Sequence, residues 1–469
     1  MAEKLKCDLA VLGGGPGGYT AAFRAADLGL SVCLIEERSK LGGVCLHAGC
    51  IPSKTLLHAA SIVETVRRAG AFGLNYPAPE IDLDVLRSKK DDIVRQLAEG
   101  LDKLCKARRI RRLAGRGRFR DAHTLRVAAE EQETEVVFKS ALIATGSRPA
   151  SLPDAPEGPR IWDSGDALSL PGVPKRLLVV GGGIIGLEMA QVYKTLGAEV
   201  TLVEMGDHLI PAADKDLLQP LMQTLNNGCR IMTGARVAAM APRDHDIQVD
   251  FSGTDDGETG HYDTVLTAIG RRPNTEGIGL DALGLKVDEH GFIPVDERQQ
   301  TAAAHCYAIG DVVGEPMLAH KASHQGKVAA EVIAGRKTAF TPMTIPSVVY
   351  TSPELAWMGI TERQARERGI DYARGSFAWK GSGRALCSAA ENGVSKLLFD
   401  RATGRIIGAG ICGIQAGELI HEVVLALEMG ADAEDIGRTV HAHPTLSETI
   451  ALAAEMVAGS ITDAVPPKR

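Results

Sequence analysis

Twice in this chain a short apolar strand runs into a glycine-rich turn, a helix, and a second strand that ends on a glutamate. In the first copy Leu9-Ala10-Val11-Leu12 leads into Gly13-Gly14-Gly15-Pro16-Gly17-Gly18, residues 19–29 read as an alanine-rich helix, and Val32–Glu36 as the second strand. In the second copy Leu177-Leu178-Val179-Val180 leads into Gly181-Gly182-Gly183-Ile184-Ile185-Gly186, and a helix then precedes Val200-Thr201-Leu202-Val203-Glu204. The acid follows the third glycine by the same 18 residues both times. In such a unit the first glycine (Gly13, Gly181) tightens the turn, the second (Gly15, Gly183) lets backbone N–H groups approach a pyrophosphate, and the third (Gly18, Gly186) lets helix and strand pack closely. Glu36 or Glu204 then hydrogen-bonds a ribose diol. One glycine-rich turn is a common accident, but two copies that agree in strand, spacing, helix and acid are not. An α/β chain with two Rossmann-like dinucleotide-binding domains is therefore expected. Glu204 also favours NAD over NADP, because a carboxylate there bonds a free 2′-hydroxyl and repels a 2′-phosphate, and no arginine follows at 205–210.

At 469 residues the chain exceeds one ordinary core, and domains of roughly 150 residues suggest about three. A net charge of −7 gives no electrostatic footprint for nucleic acid, and the basic run at 106–120 reads as a solvated surface. The opening residues lack an apolar signal region and no apolar run reaches the roughly 18 residues of a spanning helix, so a cytoplasmic location is expected. Nine cysteines are scattered singly apart from Cys45 and Cys50, unlike the framework of a disulfide-stapled secreted scaffold.

That pair sits in Gly42-Gly43-Val44-Cys45-Leu46-His47-Ala48-Gly49-Cys50-Ile51-Pro52-Ser53-Lys54. The residues after Pro52 read as a helix entered through proline, which would set Cys50 near a positive helix end, with Lys54 four residues on adding a cation. The alternatives are two buried structural cysteines, or half of a zinc site lacking its second Cys or His pair. No metal is expected.

These blocks, together with Ala144-Thr145-Gly146, Ala268-Ile269-Gly270-Arg271, Ile309-Gly310-Asp311 and His443-Pro444-Thr445-Leu446-Ser447-Glu448, identify a resemblance to the pyridine nucleotide-disulfide oxidoreductases that covers nearly the whole chain. The resemblance implies an FAD-binding domain at 1–148 and 276–342, an NAD-binding domain at 149–275, and an α+β interface domain at 343–469 that pairs two subunits into a homodimer. It implies that Cys45 and Cys50 form a redox-active disulfide, with His443 and Glu448 as the base and its partner, His443 reaching the disulfide of the other subunit. FAD would be held by Gly13, Gly15, Gly18, Glu36, Lys54, Gly117, Thr145, Gly146, Asp311 and the stretch Met317, Leu318, Ala319, His320. Glu188 would pair with Lys54 beside the flavin. NAD would contact Gly181, Gly183, Ile185, Gly186, Glu204, Val237, Gly270 and Arg271. The implied activity is oxidation of dihydrolipoamide carried by a lipoyl-bearing acyltransferase or carrier protein of a 2-oxo acid dehydrogenase or glycine cleavage complex. His47 and Ala48 depart from the Asn and Val usual between the cysteines.

Pro444 suits a first helical position, placing His443 at a helix start. A positive helix end would disfavour imidazolium there while Glu448 favours it, poising a base. His441 has no assigned role. The nearest competing reading is an NADPH-dependent glutathione-type reductase, opposed by Glu204 and by Thr449, where such reductases tend to carry a second glutamate. A mercuric reductase is opposed by a cysteine-free tail, residues 459–469. A non-catalytic flavin-binding scaffold is opposed by the intact Cys45, Cys50, His443 and Glu448.

Overall fold

The computed structural model describes residues 3–129, 133–253 and 257–465. Its first sheet is organised by β1 (Glu3–Leu12), which lies parallel to β2 (Val32–Glu36) with Val11 opposite Leu34, and parallel to Glu133–Ile143 with Val11 opposite Leu142. Unbroken apolar runs suit strands covered on both faces, and Leu9, Ala10, Val11, Leu34 and Ile35 are wholly buried. β1 begins six residues earlier than its apolar core, because Lys4 and Lys6 face solvent while Leu5 points inward, the alternation of a half-covered strand. A third segment from far downstream, Cys306–Ala308, pairs parallel with the end of Glu133–Ile143. Three strand ends, at Leu12, Ile143 and Ala308, thus open on the same edge.

The helix α1 (Pro16–Asp27) packs its small residues Ala21, Ala22 and Ala25 inward, and Ala319–Ile333 lies against it. The approach is close: a Cβ on Gly326 would stand 2.6 Å from the Gly17 carbonyl oxygen.

The second glycine-rich unit builds a separate parallel sheet in the order Cys229–Thr233, Glu199–Glu204, Arg176–Val180, Thr264–Thr267, Ile161–Trp162. The two chain crossings that join it to the first unit, Ser147–Pro149 and Arg271–Pro273, pair with each other as an antiparallel ribbon. The C-terminal region is a five-stranded antiparallel sheet. Helices Ala416–Glu428 and Glu448–Ala458 bury Ile420, Val423, Ile450 and Ala454 in one core with Phe377, Leu397 and Ile411. Among the described residues no helix is long and apolar enough to cross a membrane.

Candidate active site

The two turns are built alike. Gly13 and Gly181 sit at φ +109° and +110°, and a Cβ there would meet the carbonyl oxygen of Ala144 at 2.2 Å or of Ala268 at 2.4 Å. Gly18 and Gly186 press on the carbonyls of Gly13 and Gly181, where a Cβ would come to 1.9 and 2.0 Å. The middle glycines differ: beside Gly183 no atom lies within 4 Å of a Cβ, and beside Gly15 the nearest is at 3.9 Å. Outer glycines are thus required by protein neighbours, while the middle one borders open space beside a helix N-terminus that carries no side-chain cap. Uncapped N–H groups facing such space suit a phosphate, so both turns fit a dinucleotide. Glu36 accepts from Gly14 N at 2.7 Å and Arg38 N at 2.9 Å; Glu204 accepts from Gly182 N at 2.7 Å and Gly206 N at 2.6 Å. Each carboxylate is fixed with lone pairs remaining for hydroxyls. Ile185 stands half-buried on the second turn, Gly117 packs under the end of β1, and Val237 is half-buried on the strand Arg236–Pro242.

The cysteines lie on α2 (Gly43–Ala48) and at the first residue of α3 (Cys50–Arg68). The second helix therefore starts at Cys50, two residues before the proline-led start expected, and Pro52 falls within its first turn. Gly49 permits the fold-back: a Cβ there would stand 3.0 Å from Val44 O and 3.3 Å from Cys45 Cα. Both cysteines are free thiols in this structure and lie within hydrogen-bonding reach of each other. The hydrogen bond from Cys45 pulls the Cys50 thiol down; burial opposes this and Lys54 assists it. Cys45, the donor in that bond and buried, is pushed up. Of the two sulfurs Cys50, at a helix N-terminus, is thus the one favoured to carry negative charge. His47 does not bear on this: its Nε2–H donates to the Leu41 carbonyl at 2.9 Å.

Lys54 Nζ donates to both oxygens of Glu188 at 2.9 Å. The Glu188 side chain is 4% exposed and that of Lys54 34%. Tyr350, from the C-terminal sheet region, donates its backbone N–H to Glu188 at 3.1 Å and places its ring 4.4 Å beneath Lys54 Nζ. No sequence signal marks Tyr350, because it meets Lys54 only through tertiary packing.

The straps between the units hold four more of the expected residues. Thr145 Oγ1 donates to Asn274 O at 2.7 Å, Gly146 O accepts from Asn274 N at 2.8 Å, and Gly270 O accepts from Ala150 N at 3.0 Å. Arg271 Nε donates to Ser147 Oγ at 2.7 Å, and Ser147 Oγ donates to Asp311 at 2.5 Å. Ser147 was missed by sequence reasoning, although it directly follows the Ala-Thr-Gly block. Met317 and Leu318 are half-buried before the helix that Ala319 begins, and His320 turns Nε2–H to the Pro346 carbonyl at 2.9 Å.

His443 lies elsewhere, on the loop before the last long helix. That helix begins at Glu448, with Pro444 in the loop, so the expected helix start at Pro444 is corrected and His443 lies five residues before the helix. Its positive end meets the Glu448 carboxylate instead. Burial opposes that charge, but Thr445 N–H at 2.7 Å and His443 hold the carboxyl below its usual range. His443 Nδ1 bonds Glu448 Oε1 at 2.9 Å, which leaves Nε2 as the nitrogen with a free lone pair. The ring is 79% exposed. His441 lies half-buried between Glu422 Oε1 and the Thr439 carbonyl, both at 2.7 Å.

Residues 7–326 match the pyridine nucleotide-disulphide oxidoreductase family and residues 345–454 its dimerisation domain. The chain is 50% identical over 466 residues to a Haemophilus influenzae dihydrolipoyl dehydrogenase, covering 99% of this chain and 97% of that one. It is 48% identical to a Vibrio cholerae dihydrolipoyl dehydrogenase, covering 99% and 98%. The solved structure of Mycobacterium tuberculosis LpdA superposes with a TM-score of 0.89 at 28% identity, covering 96% of this chain and 99% of that chain.

Proposed function

The chain belongs to the pyridine nucleotide-disulphide oxidoreductase family, and on that premise we propose that it oxidises protein-bound dihydrolipoamide to lipoamide and delivers the electrons to NAD. It is an NAD-dependent flavoprotein dihydrolipoyl dehydrogenase, and its dimerisation domain makes it a homodimer. The observation that carries the reading is the placement of the two thiols: Cys45 and Cys50 lie within hydrogen-bonding reach of each other, with Cys50 at the first residue of α3 and Lys54 one turn on.

In the oxidised enzyme Cys45 and Cys50 share a bond. His443 Nε2 takes a proton from one substrate thiol, and the resulting thiolate attacks Cys45 Sγ. The sulfur–sulfur bond breaks and Cys50 leaves as the thiolate that its helix end and Lys54 favour. The second substrate thiol, deprotonated in turn, attacks the mixed disulfide, closing lipoamide and releasing Cys45. The substrate loses two electrons and the cysteine pair gains them. Gly13, Gly15, Gly18 and Glu36 would hold the adenosine end of FAD, and Asp311 and Lys54 its flavin side. Bound there, FAD supplies the two-electron carrier between the sulfurs and NAD. Glu204 and the turn from Gly181 to Gly186 orient NAD. Glu448 holds His443 in the tautomer that leaves Nε2 basic, and its exposure suits service to the cysteines of the second subunit. The partner is the lipoyl-bearing acyltransferase or carrier protein of a 2-oxo acid dehydrogenase or glycine cleavage complex, whose swinging arm presents the dithiol.

The deciding experiment is a steady-state assay of NAD and NADP, each with dihydrolipoamide and with glutathione. Turnover confined to NAD with dihydrolipoamide supports the reading; preference for NADPH and oxidised glutathione overturns it in favour of the related disulfide reductases.

A further inference from the structure

A run of buried hydrogen bonds ends under the loop that carries His443. Trp379, Ser395 and Thr449 are each 0% exposed. Trp379 Nε1 lies 3.0 Å from Ser395 Oγ, Ser395 Oγ 2.8 Å from Thr449 Oγ1, and Thr449 Oγ1 2.6 Å from the Leu446 carbonyl. An indole N–H can only donate and a carbonyl can only accept, so the two hydroxyls between them have one direction available. Trp379 donates to Ser395, Ser395 to Thr449, and Thr449 to Leu446.

The start of the run is itself clamped. A Cβ on Gly393 or Gly413 would come within 2.5 or 2.3 Å of the Trp379 ring, so these two glycines make the slot that the indole fills. The end of the run falls on the turn that sets the His443–Glu448 pair. Thr445 N–H holds one oxygen of Glu448, His443 holds the other, and Leu446 lies between Thr445 and Glu448 in the chain. The Leu446 carbonyl takes both the backbone N–H of Thr449, at 3.0 Å, and its hydroxyl.

We infer that Thr449 is a positioning residue for the base: through Leu446 it fixes the turn that keeps Glu448 on His443 Nδ1, and Ser395 and Trp379 fix Thr449 in turn. The inference rests on His443 being the base of the proposed reaction. It gives Thr449 a task that a bulky carboxylate at the same wholly buried position could not perform in the same way.

The test uses the FAD-loaded dimer with Thr449→Val, which keeps shape and removes the hydroxyl, and Thr449→Ser, which keeps the hydroxyl and removes the methyl. Two readouts are taken. Rapid-reaction kinetics separate reduction of the enzyme by dihydrolipoamide from its reduction by NADH. Nitrogen NMR of labelled histidine, with His443→Gln identifying the signal, reports the His443 tautomer. The expected result is a slowing of about tenfold in the dihydrolipoamide step of Thr449→Val, the size of one well-placed hydrogen bond. The NADH step should be unchanged, the Nδ1–H tautomer should no longer predominate, and Thr449→Ser should restore both. Ser395→Ala, one link further from the loop, should show the same pattern more weakly and keeps the question open to test if the valine variant does not fold. Equal slowing of both steps, or a tautomer unchanged in Thr449→Val and in Ser395→Ala, overturns the inference. If the wild-type enzyme fails to react with dihydrolipoamide, the functional reading falls, while the tautomer comparison still decides what Thr449 does.

Discussion

Replacing Lys54 by methionine removes a cation one helical turn from Cys50 while keeping most of the packing of its stem. Side chains one turn apart lie about 6 Å from each other, and at an effective dielectric constant of about 20 a unit charge there is worth about 3 kcal/mol to a thiolate. That corresponds to roughly two pKa units. Solvent reduces it: the Lys54 side chain is 34% exposed, so part of its field is screened. A rise of about one unit in the Cys50 pKa is expected. Glu188→Gln, which frees the lysine charge, should move Cys50 the other way. The assay is alkylation rate against pH in a Cys45→Ser background, read by mass spectrometry on the tryptic peptide that starts at Leu41 and ends at Lys54, or at Arg67 when Lys54 is replaced, which then contains a single cysteine. Superimposable rate profiles with and without Lys54 would refute the claim that this side chain sustains the thiolate.

Other outcomes follow from the same geometry. Cys45→Ser should yield a yellow protein that NADH still reduces and dihydrolipoamide does not; retained turnover would remove the disulfide from the mechanism. His443→Gln should slow the dihydrolipoamide step by roughly a hundredfold or more, the usual worth of a positioned base, and spare the NADH step. Glu204→Ala should raise KM for NAD about tenfold, the worth of one charge-assisted hydrogen bond, and narrow the preference over NADP; an unaltered preference would remove Glu204 from cofactor choice. Gly18→Ala puts a Cβ 1.9 Å from the Gly13 carbonyl oxygen, so the purified variant should lack flavin, whereas normal flavin content would show that the turn can open.

The two glycine-rich units were legible because their reasons are local. A positive φ at Gly13 and Gly181, a helix that must touch its strand at Gly18 and Gly186, and an acid at the end of the next strand all leave fixed spacings in the chain. The cysteine pair was legible for the same reason. Helix boundaries were not. Pro52 and Pro444 both suit a helix start, yet α3 begins earlier at Cys50, where Gly49 lets the chain fold back, and the last helix begins later at Glu448, which caps its own loop through Thr445. Least legible were contacts made by distant segments. Ser147 between Arg271 and Asp311, Tyr350 beneath Lys54, and the Trp379–Ser395–Thr449 run each depend on tertiary packing, which no periodicity records.

In this mechanism two sulfurs exchange a bond for electrons, and both fall in the single tryptic peptide 41–54. Oxidised enzyme, denatured and alkylated, should give that peptide without label and lighter by two hydrogens. After one equivalent of dihydrolipoamide under anaerobic conditions it should carry two labels, in step with the NADH formed when NAD is then added. A peptide that takes both labels before any dithiol is added to the oxidised enzyme, while NAD reduction proceeds normally, would contradict it.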